Sequence, residues 1–295
     1  MMFELIDTID VKNYLGEGVT WDDQTQTVWW TDIEEKQLFC YQLSHRQLCA
    51  FDTPYRVCGF ALTQQADVVL AAFDRGIALY HLISGNTEWL FQFPEGATVR
   101  FNEGRTDAKG RFWVGTMNEF GDKTASSGLY RVDTDLTVTK IEANVGICNG
   151  LAWNADATRF YMADSGQQVI YQYRFDIDSG EIADKAIFKQ LPANTSPDGA
   201  MMDDTGHLWS ALWGGSCVAR FSPEGEPQYF AVPVEQPTCV AFGGEHHNLL
   251  FVTSACYQLS DDALQAAPKT GSLFIYQTDV TSAPRPRFAG EFHHG

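Results

Sequence analysis

One bulky hydrophobic residue recurs along the chain at a near-constant interval: Trp30, Leu70, Trp113, Tyr161, Trp209 and Phe251. The gaps are 40, 43, 48, 48 and 42 residues. Self-similarity at that period marks an architecture built by repeating one supersecondary unit. Each repeat reads as short strands rich in β-branched and aromatic residues, separated by turns of Asp, Asn and Gly. In the first, 18–21, 28–32 and 37–41 are the strands. The third places the turn Asp107-Ala108-Lys109-Gly110 before strands 111–115 and 128–132, and the fourth gives 150–153, 159–163 and 169–173. No segment of helical length carries a 3.6 period, which leaves room for one helical turn at 261–267. Six such units predict an all-β fold, a six-bladed β-propeller forming a single domain over residues 1–295. An open solenoid would need polar capping repeats, and neither end resembles one.

Closing the ring requires one blade built from both ends of the chain, so that no strand edge is left unpaired. Residues 3–6 are favoured as the outer strand beside 273–276, with 287–290 as the alternative. Trp30, Trp113 and Trp209 read as packing between blades, and Asp22, Asp107 and Asp203 read as turn caps.

A net charge of −18 disfavours nucleic acid and anionic membrane as partners, so neither is expected, and it favours attraction of divalent cations. The seven cysteines are scattered without a C-x-x-C pair, which suggests free, mostly buried thiols in a reducing compartment. The N-terminus lacks a basic, then apolar, leader pattern, and no apolar run approaches 18 residues, so a cytoplasmic protein is expected. A monomer or a weak homodimer is expected.

Stepping 11 to 13 residues back from each anchor gives a second set: Glu17, Cys58, Asn102, Asn149, Asp198 and Thr238. Three of them share one pattern, an oxygen donor followed by glycine and an apolar strand: Glu17-Gly18, Asn149-Gly150 and Asp198-Gly199. Around a propeller axis these side chains converge on one mouth. Two carboxylates and an amide crowded there repel or go unsatisfied without a cation. Glu17, Asn149 and Asp198 are therefore the predicted metal ligands. Oxygen-only ligation suits Ca²⁺ first, with Mg²⁺ and Mn²⁺ also compatible and Zn²⁺ left open. No histidine falls on the rim. Arg100 lies two residues before Asn102, so both face the same side of a strand. A guanidinium and an amide beside a metal suit a substrate rich in hydroxyl or carbonyl oxygens.

The segments 16–21 (GEGVTW), 100–107 (RFNEGRTD), 110–117 (GRFWVGTM), 149–153 (NGLAW) and 196–199 (SPDG) together resemble the SMP-30/gluconolactonase/luciferin-regenerating-enzyme family, which includes regucalcin-like proteins. The resemblance implies a six-bladed propeller with a divalent cation at the channel mouth. It implies Glu17, Asn149 and Asp198 as ligands and Arg100 and Asn102 as substrate contacts. Some members place a further substrate-binding glutamate after the G-T-M piece. Here Phe120 stands at the matching position and Glu119 one residue before it; Glu119 is the candidate, with 120–127 as a lid. The expected activity is metal-dependent hydrolysis of a sugar lactone to its aldonic acid, with Asp198 as general acid and base. An organophosphate or aryl-ester hydrolase at the same metal, a non-catalytic calcium-binding protein and a protein-interaction platform are the competing readings. The chain lacks a G-x-S-x-G elbow, a dinucleotide fingerprint and a P-loop. Cys58, on the rim without a histidine in register, reads as a buried thiol.

Overall fold

The computed structural model describes residues 1–120 and 127–292. Among these, 24 strands form six four-stranded antiparallel sheets. The innermost strands are Gly16–Asp22, Val57–Leu62, Val99–Thr106, Cys148–Trp153, Ser196–Met202 and Pro237–Gly243. Each packs against the next, and the last packs against the first, so the ring closes as a six-bladed propeller. The six anchors all lie on the second strands: Thr27–Asp32, Val68–Phe73, Phe112–Asn118, Arg159–Asp164, Leu208–Trp213 and Leu249–Ser254.

The anchors are buried, and two of them show why the repeat favours tryptophan. Asp107 accepts the indole N–H of Trp113 at 2.9 Å, and Asp203 that of Trp209 at 2.9 Å, six residues on in each case. The same carboxylates cap their turns, Asp107 through the N–H groups of Lys109 and Arg111, and Asp203 through those of Thr205 and His207. A buried indole thus finds its required hydrogen bond within its own hairpin. Trp30 differs, its N–H reaching Asn13 at 3.4 Å.

The N-terminal strand closes the ring. Phe3–Ile9 runs antiparallel to Leu273–Thr278 as the outer strand of the sixth blade. Residues 287–290 form no strand. From Asp279 on, the chain instead crosses the face opposite the rim. Along the way it meets Asp204, Trp153, Thr106, Asp22 and Leu62 of five blades in turn. Phe288 is buried there among core residues of the second and third blades. One short helix, Asp261–Ala266, is capped by the Ser260 side chain and is the helical turn the sequence leaves room for. No helix among the described residues is long and apolar enough to cross a membrane.

All seven cysteines are free: three are buried, three half-buried, and Cys49 is exposed. The thiols are thus less uniformly buried than expected. Of the predicted lid at 120–127, residues 121–126 lie outside the described residues, while Phe120 is exposed and Ser127 opens the strand Ser127–Val132.

Candidate functional site

Every innermost strand breaks register at the same level, with irregularities at Glu17/Thr20, Val57/Gly59, Phe101/Gly104, Asn149/Ala152, Pro197/Ala200 and Pro237/Val240. A bulge turns the strand locally and re-aims side chains. At Gly18 and Gly150 the backbone is left-handed, with φ of 61° and 60°, which explains glycine directly after the oxygen donor. Gly199 serves closeness instead: a Cβ there would lie 2.4 Å from Cys239 Sγ.

Above these bulges lies a cavity of about 460 Å³. Glu17, Arg100, Asn102, Glu119, Asn149 and Asp198 all line it. Of the six rim-equivalent positions, the four bearing a carboxylate or amide reach it, and the other two turn to structure. Thr238 donates to Gly16 O, and the Cys58 thiol, pushed up to about 12 by burial, bonds Arg56 O.

Asn149 is held at both ends. Its Nδ2 donates to Ser165 Oγ at 2.9 Å, and its Oδ1 accepts from Asn102 Nδ2 at 2.6 Å. Ser165 in turn donates to Pro197 O, tying the fourth blade to the strand that carries Asp198. The amide oxygen keeps one lone pair for a ligand on the cavity side.

Glu17 and Asp198 are buried. Each accepts a hydrogen bond from the backbone N–H that follows it, Gly18 and Gly199. Among the described residues neither forms an ion pair with a lysine or arginine. Burial pushes both carboxyls well above the usual carboxylate range. The charge of Glu103 pushes Glu17 further in the same direction, as the charges of Glu17 and Glu103 push Asp198. Among the described residues no three His, Cys, Asp or Glu side chains gather as a metal cluster. The candidate set contains only two carboxylates and completes itself with an amide oxygen. Buried, mutually repelling carboxylates beside an oriented amide are a donor set that fits a hard divalent cation.

Opposite them, Arg100 donates through Nη1 to Asn102 Oδ1 at 3.0 Å and to Phe101 O at 2.8 Å. Its buried Nε makes no hydrogen bond and lies 3.8 Å from Glu119. Glu119, not the exposed Phe120, faces the cavity, and Arg56 grips it at 2.5 and 2.9 Å. Arg56 also pairs with Glu34 and Asp74.

Four features of the site escape the reading of the sequence. Arg56 stands two residues before the rim position Cys58, as Arg100 stands two before Asn102, and that shared spacing was the available signal. Ser165 follows Asp164, whose carboxylate accepts the N–H groups of Gly146 and Ile147. Asp32 does the same for Tyr14 and Leu15 in the first blade. Glu103, beneath the cavity, sits inside the motif RFNEG. Trp213 and Tyr257, with ring centroids 6.4 Å apart, form an aromatic wall that no local pattern announced.

Residues 15–256 match the family described as SMP-30/Gluconolactonase/LRE-like region. The L-arabinolactonase of Azospirillum brasilense is 37% identical over 287 residues, covering 95% of this chain and 94% of that protein. The pentonolactonase XacC of Haloferax volcanii is 34% identical, covering 97% and 98%. The crystal structure of a calcium-binding protein, regucalcin, from Agrobacterium tumefaciens superposes with a TM-score of 0.90 at 28% identity, covering 96% of this chain and 97% of that one. The chain belongs to the SMP-30/gluconolactonase/LRE-like family.

Proposed function

We propose that the protein is a sugar lactonase that requires a divalent cation and hydrolyses an aldonolactone to its open-chain acid. The observation that carries this reading is the sharing of one cavity by three oxygen donors and three groups suited to a polyhydroxylated ring. Full-length relatives named for arabinolactone and pentonolactone support it and make five-carbon lactones the first substrates to test.

Glu17, Asn149 and Asp198 would hold the cation, with Ca²⁺ favoured by the all-oxygen donor set. When bound, a cation there withdraws electron density from the lactone carbonyl and offsets the negative charge that builds on its oxygen. Arg100, fixed by its bonds to Phe101 O and Asn102 Oδ1, presents its remaining guanidinium N–H groups to ring oxygens. Asn102, whose two amide N–H groups are taken by Asn149 Oδ1 and Cys148 O, accepts from a ring hydroxyl through its oxygen, and this fixed pair lowers the entropic part of the barrier. Glu119, fixed by Arg56, accepts from a ring hydroxyl. The wall of Trp213 and Tyr257 excludes water from the other side. Asp198 takes the proton of the water that attacks the carbonyl carbon. It then passes that proton to the ring oxygen as the carbon–oxygen bond breaks, releasing a hydroxy acid.

The test is a panel of pentono- and hexonolactones assayed with Ca²⁺, Mg²⁺, Mn²⁺ and Zn²⁺ after stripping by chelator. Turnover restored by a divalent cation, and lost in Asp198→Asn with the circular dichroism unchanged, is the expected outcome. General acid and base groups typically contribute about 10²- to 10⁴-fold, so kcat should drop by at least that range. Tight calcium binding without turnover of any lactone would overturn the reading, as would full activity in metal-free protein.

A further inference from the structure

Glu103 is an acidic side chain close to the mouth to which the proposed chemistry assigns no task. It follows Asn102 within the register break between Phe101 and Gly104. There the neighbours part: Asn102 lines the cavity, whereas Glu103 is buried beneath it, 1% exposed. Its carboxylate accepts the backbone N–H groups of Leu151, at 3.3 Å, and of Gly150, the two residues after Asn149. One of its oxygens lies 3.4 Å from the Arg105 guanidinium and 3.9 Å from Cys239 Sγ. Arg105 donates to Cys239 Sγ at 2.6 Å and to Val240 O at 3.3 Å, which anchors this pair to the sixth blade.

A carboxylate sunk this deep is costly unless its surroundings use the charge. At the top of the channel the charge of Glu103 adds to those of Glu17 and Asp198, and is opposed by Arg105 and, at Glu17, by Arg100 as well. Crowded, buried carboxyls of this kind are relieved by a cation, and the charge of Glu103 strengthens that pull. The hydrogen bonds to Gly150 and Leu151 also hold the left-handed bulge that presents Asn149.

We infer that Glu103 is a positioning residue of the cation site: without touching the ion, it braces the Asn149–Gly150 bulge from below and supplies a third negative charge to the field between Glu17, Asn149 and Asp198. This rests on the reading that those three residues hold a cation.

Calorimetric titration of chelator-stripped, full-length protein with CaCl₂ tests it. Glu103→Gln keeps the side-chain shape and one acceptor oxygen but removes the charge. Its calcium association constant is expected to fall roughly 10- to 100-fold, the usual effect of losing an outer-shell partner. Glu103→Asp keeps the charge and shortens the reach, and a smaller loss is expected. Asp107→Asn removes another fully buried carboxylate, at the far end of the same blade. It is expected to lower the melting temperature while leaving calcium affinity unchanged. Unchanged affinity in Glu103→Gln overturns the inference, as does unchanged affinity in Glu103→Asp if Glu103→Gln does not fold. An equal loss in Asp107→Asn also overturns it, because general loosening would then explain the effect. Wild-type protein that binds no cation overturns the underlying assignment of the site instead, so the two failures are distinguishable.

Discussion

Asp203 shows how one residue serves both the local turn and the core. Its carboxylate accepts from His207 N, Trp209 Nε1 and Arg220 Nε at 2.8 to 3.0 Å. Burial pushes its pKa up, but these bonds and that from Thr205 outweigh it, and the folded value lies below the ordinary one. A depressed folded pKa contributes stability above the unfolded value and loses it as pH falls through the folded one. Wild-type protein is therefore expected to lose melting temperature on acidification below about pH 4. Asp203→Asn should start lower, by on the order of 3–5 kcal/mol because Arg220 is left buried without its partner. Its loss should also be shallower on acidification, since it has no carboxylate to protonate; thermal melts across pH 3 to 7 check both points. At this scale the turn role of Asp203 was legible from its place before Gly206, and the rim donors were legible from their register. Glu119 was not settled by motif counting, which pointed to Phe120. Its orientation depends on Arg56, 63 residues away in the chain.

At the scale of the element, short apolar runs bounded by turn residues sufficed to mark the inner strands, because strands buried on both faces read as continuous apolar stretches. The outer strands carried weaker signals. Gln47–Asp52 is mostly exposed, so its residues are under little pressure to be apolar. The N-terminal strand is a special case. Phe3 stacks on Tyr276 at 4.1 Å between ring centroids and meets Phe230 of the fifth blade at 4.8 Å, so this strand joins two blades as well as closing one. Deleting residues 1–9 would bare the edge of Leu273–Thr278. An unpaired edge recruits other chains, and light scattering is expected to show association or aggregation where the intact protein scatters as a single species. A monodisperse deletion variant with an unchanged melting temperature would contradict this role.

At the scale of the whole molecule, the ring has two dissimilar ends. The rim end holds the cavity lined by Glu17, Glu119 and Asp198, and the far end is crossed by the C-terminal segment. Arg287 pairs there with Asp22 at 2.6 Å, and Phe288 is fully buried. Phe288→Ala is expected to cost about 3–5 kcal/mol, the range for emptying a packed aromatic site, with KM for the lactone unchanged because the cavity lies at the opposite end. Denaturant unfolding together with steady-state kinetics separates the two effects. The cation, if held across three blades, should also report on global stability. At 100 times its dissociation constant a ligand adds about 2.7 kcal/mol. Calcium should therefore raise the melting temperature of stripped protein, and should do so far less in Asp198→Asn.

The repeat number, the strand order within each blade, the turn carboxylates and the four polar rim residues were determined by the sequence alone. Each follows from a local periodicity of burial, or from residue chemistry at a fixed offset within one repeat. The choice of closing strand, the path of the C-terminal segment, the grip of Arg56 on Glu119 and the place of Glu103 were decided only by the tertiary structure. These are meetings between segments distant in the chain, such as Asp22 with Arg287. Such pairs carry no periodic signal, because it is ring closure that brings their partners together.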